Sequence, residues 1–151
     1  MAAGLALLLL LGLSAPAQTS GQMRPFKGIV TFFTPGDGTL TGTGNITHLG
    51  KMSVVAYEAY PGFTDEGLAI GELQGTYTAA NGDTLTWVGG SLIDVSNAPY
   101  YTSEGAVEFT GGTGRFENVS GGAEFYGITE PSGTPGILMG SLVLVNGVIS
   151  Y

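Results

Sequence analysis

In Glu72-Leu73-Gln74-Gly75-Thr76-Tyr77-Thr78-Ala79-Ala80-Asn81-Gly82-Asp83-Thr84-Leu85-Thr86-Trp87 the side chains alternate in character, reverse at an Asn-Gly pair and alternate again. Leu73, Gly75, Tyr77 and Ala79 share one face, and Glu72, Gln74, Thr76 and Thr78 the other, which is the two-residue period of a half-buried strand. Asn81-Gly82 accepts the positive φ values of a two-residue hairpin turn. Beyond it Leu85 and Trp87 alternate with Thr84 and Thr86.

Working outward, short apolar or alternating runs are separated by glycine-rich turns, and no segment after residue 17 carries a helical period. Strands are predicted at Phe26–Phe33, Thr39–Thr47, Lys51–Tyr60, Glu72–Ala79, Thr84–Ile93, Ala106–Thr110, Gly122–Thr129 and Ile137–Val145, with a tail toward Tyr151. Pro35-Gly36-Asp37-Gly38 fixes one φ and then supplies positive-φ positions for a turn. About eight strands with glycines inside them, which permit tight coiling, predict an all-β fold, a closed antiparallel β-barrel. A two-sheet β-sandwich is the second choice. Two strands break the alternation: Leu142-Val143-Leu144-Val145 is apolar on both faces, and Ile29 and Phe33 oppose Val30 and Phe32. In a closed barrel the first and last strands meet. Ile29, Phe33, Leu142 and Leu144 are therefore expected to form an outward apolar patch that joins copies of the chain.

Composition excludes several classes. The chain has 151 residues, 27 of them glycine, more than twice the average share of roughly 7%. No Gly-X-Y period accompanies them, so collagen is excluded. Four basic against twelve acidic side chains give a net charge of −8, the wrong sign for a nucleic-acid partner. With no cysteine, disulfides, thiolate nucleophiles and cysteine-ligated zinc are ruled out.

Leu5 to Leu13 is an apolar run followed by Ser14-Ala15-Pro16-Ala17-Gln18, in which Ala15 and Ala17 suit the small-residue positions before a cleavage site. As a helix the run would rise about 13 Å, well short of the roughly 30 Å hydrocarbon layer. The reading is a signal peptide over residues 1–17, a single barrel domain over 18–151, and a secreted or periplasmic location. The basic residue usual at the start of such leaders is missing.

Thr110-Gly111-Gly112-Thr113-Gly114-Arg115-Phe116-Glu117-Asn118-Val119-Ser120-Gly121-Gly122 resembles the G-G-T-G-[KR]-F-x-x-[AV]-x-G signature of the allene oxide cyclase and dirigent-type β-barrels. Gly42-Thr43-Gly44-Asn45-Ile46-Thr47-His48-Leu49-Gly50 is similar to a segment of bacterial secreted relatives of that barrel. The resemblance implies an eight-stranded antiparallel barrel with an apolar interior, often trimeric, in which Gly111, Gly112, Gly114, Arg115 and Phe116 form a structural turn at the barrel end. The family's catalytic residues find no counterpart here. From the residues themselves, Arg115–Val119 suits one helical turn whose Phe116 and Val119 plug the end at i, i+3 spacing. A phosphate cradle is disfavoured, because no Lys-Ser/Thr pair follows Gly114 and no strand–helix–strand unit surrounds it.

His48, the lone histidine, reads as a turn residue satisfied by backbone or solvent. The carboxylates show neither calcium-loop spacing nor an evident acid–base pair, so no metal, cofactor or catalytic residue is expected. Most are expected on outward faces. Tyr77, Trp87, Phe109 and Phe125 fall on inward faces, either as solid core or as the lining of a pocket for a small apolar molecule. Inward glycines at 42, 44, 75 and 127 favour a cavity. The Thr-x-Thr repeats suit exposed sheet, and Asn45 and Asn118 fit a glycosylation pattern relevant only to a suitable host. The expected function is a secreted non-enzymatic barrel that binds a small apolar ligand or acts as an interaction module. The alternatives are a cyclase- or dirigent-like enzyme and a small outer-membrane barrel. Against the last, several strands look shorter than the roughly 9–11 residues that span a bilayer.

Overall fold

The computed structural model describes residues 21–151. The leader expected at residues 1–17 lies outside them. Eight strands follow one another: β1 (Arg24–Thr34), β2 (Thr39–Ile46), β3 (Gly50–Phe63), β4 (Ala69–Ala79), β5 (Thr84–Asp94), β6 (Tyr101–Gly112), β7 (Ser120–Pro131) and β8 (Leu138–Ser150). Each pairs antiparallel with its neighbour, and β8 returns to β1, closing an up-and-down barrel. The sandwich is thereby discarded. Closure leaves no free edge to pair with another chain.

Alternation sets what enters the barrel. Phe26, Val30 and Phe32 of β1 point in, as do Met52, Val54 and Ala56 of β3, Tyr77 of β4, Leu85 and Trp87 of β5, and Val107 and Phe109 of β6. Seven of the eight strands have 11 residues or more, longer than the sequence pattern suggests. β3 runs through Pro61 because its register with β4 shifts between Ala59 and Gly62, an irregularity that tolerates a residue without an N–H. β6 begins at Tyr101, where inward Ser103 and Gly105 carry too little apolar character to mark a strand. Strand length therefore does not set this barrel apart from a membrane-spanning one. Its outer wall is mixed: Ser53, Gln74, Glu104, Glu108 and Glu124 face outward along the strands, and so do Ile29, Val55, Val88, Ile128 and Val143.

Two of the residues expected on the outer patch turn inward. Leu144 is 2% exposed and Leu142 packs against the core, whereas Ile29 and Phe33 are 58% and 45% exposed as expected. Parity explains the correction. Asn146 takes a positive φ of 50°, and the pairing of β8 with both neighbours shifts around it. Leu144 and Ile149, five residues apart, thus both face in, so the tail of the strand misreports the face of its first half. Val143 takes the outward position instead. It pairs in register with Ile29 on one side and Tyr126 on the other, so an exposed apolar row crosses β1, β8 and β7.

One end of the barrel is sealed. After β6, Thr113 leads into a single 3-10 turn, Gly114–Phe116, in which Gly114 has φ of 57°. Phe116 is 0% exposed and stacks edge-on to Tyr151 at 5.2 Å between ring centres. Val119, Leu49, Leu85 and Ile149 complete the plug. Burying a side chain such as Phe116 fully is worth about 1.5–3 kcal/mol. Arg115 remains outside, 3.6 Å from Asp83 across the β4–β5 turn.

Candidate functional site

The opposite end is open. A cavity of about 360 Å³ enters the barrel between the β1–β2, β3–β4, β5–β6 and β7–β8 loops. Its deep wall is apolar: Val30, Val54, Leu73, Val107, Leu142 and Leu144 surround Tyr77, Trp87 and Phe125. Thr34, Tyr60, Phe63, Val95, Tyr101 and Thr129 stand nearer the mouth. Below the floor, Phe26 and Phe109 meet edge to face at 4.7 Å, and the barrel becomes solid. Of the four aromatics expected to line a pocket, Tyr77, Trp87 and Phe125 do so, while Phe109 belongs to the solid part beneath.

Small inward residues hollow out the upper half. Ala56, Ala69, Gly71, Ser91, Ser103 and Gly127 occupy inward positions there, where the lower half carries Phe26, Met52, Leu85 and Phe109. Tyr77 and Trp87 form the boundary, with ring centres 5.3 Å apart. Burial alone raises the Tyr77 hydroxyl above the ordinary tyrosine range. The Trp87 indole Nε1 is buried with no hydrogen-bond partner among the described residues. An unpaired buried donor costs about 1–3 kcal/mol.

One charged side chain enters the cavity. Glu58 of β3 is 9% exposed, and two hydroxyls donate to its carboxylate: Ser91 Oγ to Oε1 at 2.7 Å and Tyr60 OH to Oε2 at 2.9 Å. Tyr60 lies two residues along the same strand. Ser91 lies on β5, with β4 between, and the bond is made across Gly71, which pairs with Ser91 in register. A Cβ at Gly71 would collide with both Ser91 Oγ and Glu58 Oε1, so only glycine lets the two meet. Burial first and the Glu58 charge second push the Tyr60 hydroxyl well above its usual range, which keeps it a proton donor to the carboxylate.

Glu58 was not among the residues singled out in the sequence. Met52, Val54 and Ala56 precede it at two-residue spacing and place it on the inward face. Outward Val55 and Tyr57 make both faces of the strand look apolar and hide the parity. His48 lies at the plugged end, at φ of 70° in the β2–β3 turn, with Nε2 2.9 Å from the Pro25 carbonyl and Nδ1 3.2 Å from the Tyr151 hydroxyl. Gly111, Gly112, Gly114, Arg115 and Phe116 lie there too, remote from the cavity. Among the described residues no group of three or more His, Asp or Glu side chains is placed to hold a metal.

Comparison with family models, with curated proteins and with solved structures finds no match to this chain.

Proposed function

We propose that this chain is an exported, non-enzymatic barrel that binds one small, mainly apolar molecule inside the cavity. The observation that carries the reading is the cavity itself: about 360 Å³, apolar on its deep wall, open at one end and plugged at the other. A small barrel with no such task is filled by its side chains, and ligand pockets run from about 300 to 1,000 Å³ with a few polar groups on an apolar wall. The test is titration with the neutral apolar dye Nile red, following its emission and quenching of Trp87. Saturable binding at one site is expected. Ala69→Phe, which narrows the mouth, is expected to weaken it about tenfold or more with the melting temperature retained. No binding to the wild type would overturn the reading.

The pair of Glu58 and Tyr60 favours a second reading, a cyclase- or dirigent-like enzyme, because a carboxylate and a phenol in hydrogen-bond contact can pass a proton to a bound intermediate. Native mass spectrometry of wild type and Glu58→Gln from the host separates the two. The same molecule on both means binding; substrate on the variant and product on the wild type means catalysis. The proposed exported state also carries a homo-oligomer, trimeric by the resemblance of its turn motif, with the row of Ile29, Val143 and Tyr126 as the joining face. Ile29→Glu is expected to lower the light-scattering mass to one chain; a wild type already at one chain removes this part.

A further inference from the structure

The charged side chains divide unequally between the two halves of the barrel. Asp37, Asp65 and Glu66 in the loops, and Asp94 and Glu130 near strand ends, surround the mouth, with Glu72 and Glu104 on the wall beside it and Glu58 inside. All four basic residues, Arg24, Lys27, Lys51 and Arg115, belong to the plugged half, where Asp83, Glu108, Glu117 and Glu124 balance them. The whole net charge of −8 thus sits on the half that opens. A cleft of one charge sign with low-dielectric walls concentrates ligands of the opposite sign.

Glu58 faces the same cavity with no basic side chain in its half of the barrel. Two hydroxyls occupy part of its accepting capacity, but a carboxylate offers about four lone-pair sites, and hydroxyls bring no charge. A buried charge is costly unless it is both paired and hydrogen-bonded. We infer that the ligand is a cationic amphiphile: an apolar body seated on the deep wall and one ammonium group donating to Glu58, drawn in by the acidic mouth. This rests on the reading of the barrel as a small-molecule binder and names the class of molecule. A neutral hydrocarbon would leave the free lone pairs of Glu58 against an apolar surface. A carboxylate such as a fatty acid would meet like charge twice, at the mouth and at Glu58.

Three probes with one tail and different heads test this: n-decylammonium, n-decanol and n-decanoate, titrated into the full chain at pH 7 below micelle formation, read by Trp87 emission. Decylammonium is expected to bind about tenfold or more tighter than decanol, and decanoate weakest. In Glu58→Gln, which keeps the shape and lets one hydroxyl donate to the amide oxygen while the other turns to accept from the NH2, ammonium and alcohol are expected to converge while decanol binding persists. Added salt is expected to weaken decylammonium and leave decanol unchanged, since the mouth charges are open to screening. Decanol equal to decylammonium, decanoate tightest, or a preference that survives Glu58→Gln would overturn the inference and leave the binding reading standing. Failure of all three probes, with Nile red, would remove the binding reading itself. If Glu58→Gln binds no decanol because it fails to fold, the order of the three probes on the wild type decides.

Discussion

The same eight strands build both ends of this barrel, but they fill them differently. At the plugged end large inward side chains fill the interior: Phe26 against Phe109, Leu85, Ile149, and Phe116 lowered into the opening by a single 3-10 turn. At the mouth β4, β5 and β6 turn small or polar, with Ala69, Gly71, Ser91 and Ser103 inward, and the freed space becomes the cavity. The difference teaches that a barrel of this size is solid by default and hollow only where volume is withheld. Withholding it at one end alone leaves the packed end to hold the fold and the other end open as a cavity.

The contrast can be broken most directly by truncating one ring at each end. Phe116→Ala removes a fully buried plug and is expected to cost about 3–5 kcal/mol in urea unfolding. Phe63→Ala at the mouth, where the ring is largely exposed, should fall within about 0.5 kcal/mol of wild type. Equal losses would mean that the mouth is as firmly packed as the plug.

Gly71→Ala probes the contact between Glu58 and Ser91 inside the hollow half. Its new methyl group drives Glu58 and Ser91 apart, which should cost about 1–3 kcal/mol and reduce binding of a charged ligand more than of a neutral one. A smaller shift follows from the tyrosines. Tyr77 and Tyr60 hold raised values in the fold but ionise near pH 10 once unfolded. The unfolded chain then binds fewer protons than the native one, so stability is full below about pH 10 and declines above it. Tyr77→Phe should flatten that decline in melting curves taken from about pH 9 to 11; an unchanged slope would show that Tyr77 plays no part in it. The smallest effect is expected at the rim of the plug. Arg115→Ala loses a half-exposed contact with Asp83 and should cost less than about 1 kcal/mol, lower still in high salt.

Much of the barrel can be read from local pattern. The hairpin around Asn81-Gly82 forms as β4 and β5 with Tyr77 and Trp87 inward. Phe116 and Val119 lie buried where the glycine-rich turn placed them. The failures lie where a strand is apolar on both faces, so that its parity cannot be read locally. Leu142-Val143-Leu144-Val145 is apolar on both faces and leaves its parity open, and the bulge at Asn146 puts Leu144 and Ile149 on the same, inward side. Glu58 went unnoticed because apolar Val55 and Tyr57 on the opposite face masked its side.

By itself the sequence determined an all-β chain of glycine-turned strands, acidic and free of cysteine, with one bulky turn fit to seal an end. Those features live within a few residues of one another, where a two-residue period and positive-φ positions act directly on the backbone. Only the tertiary structure decided that the interior is half empty and that Glu58 reaches Ser91, 33 residues away, across the bare backbone of Gly71. It also decided that the acidic excess collects at the open end. Each of these depends on which strands become neighbours and in what register, and closure of the barrel sets that through contacts far apart along the chain.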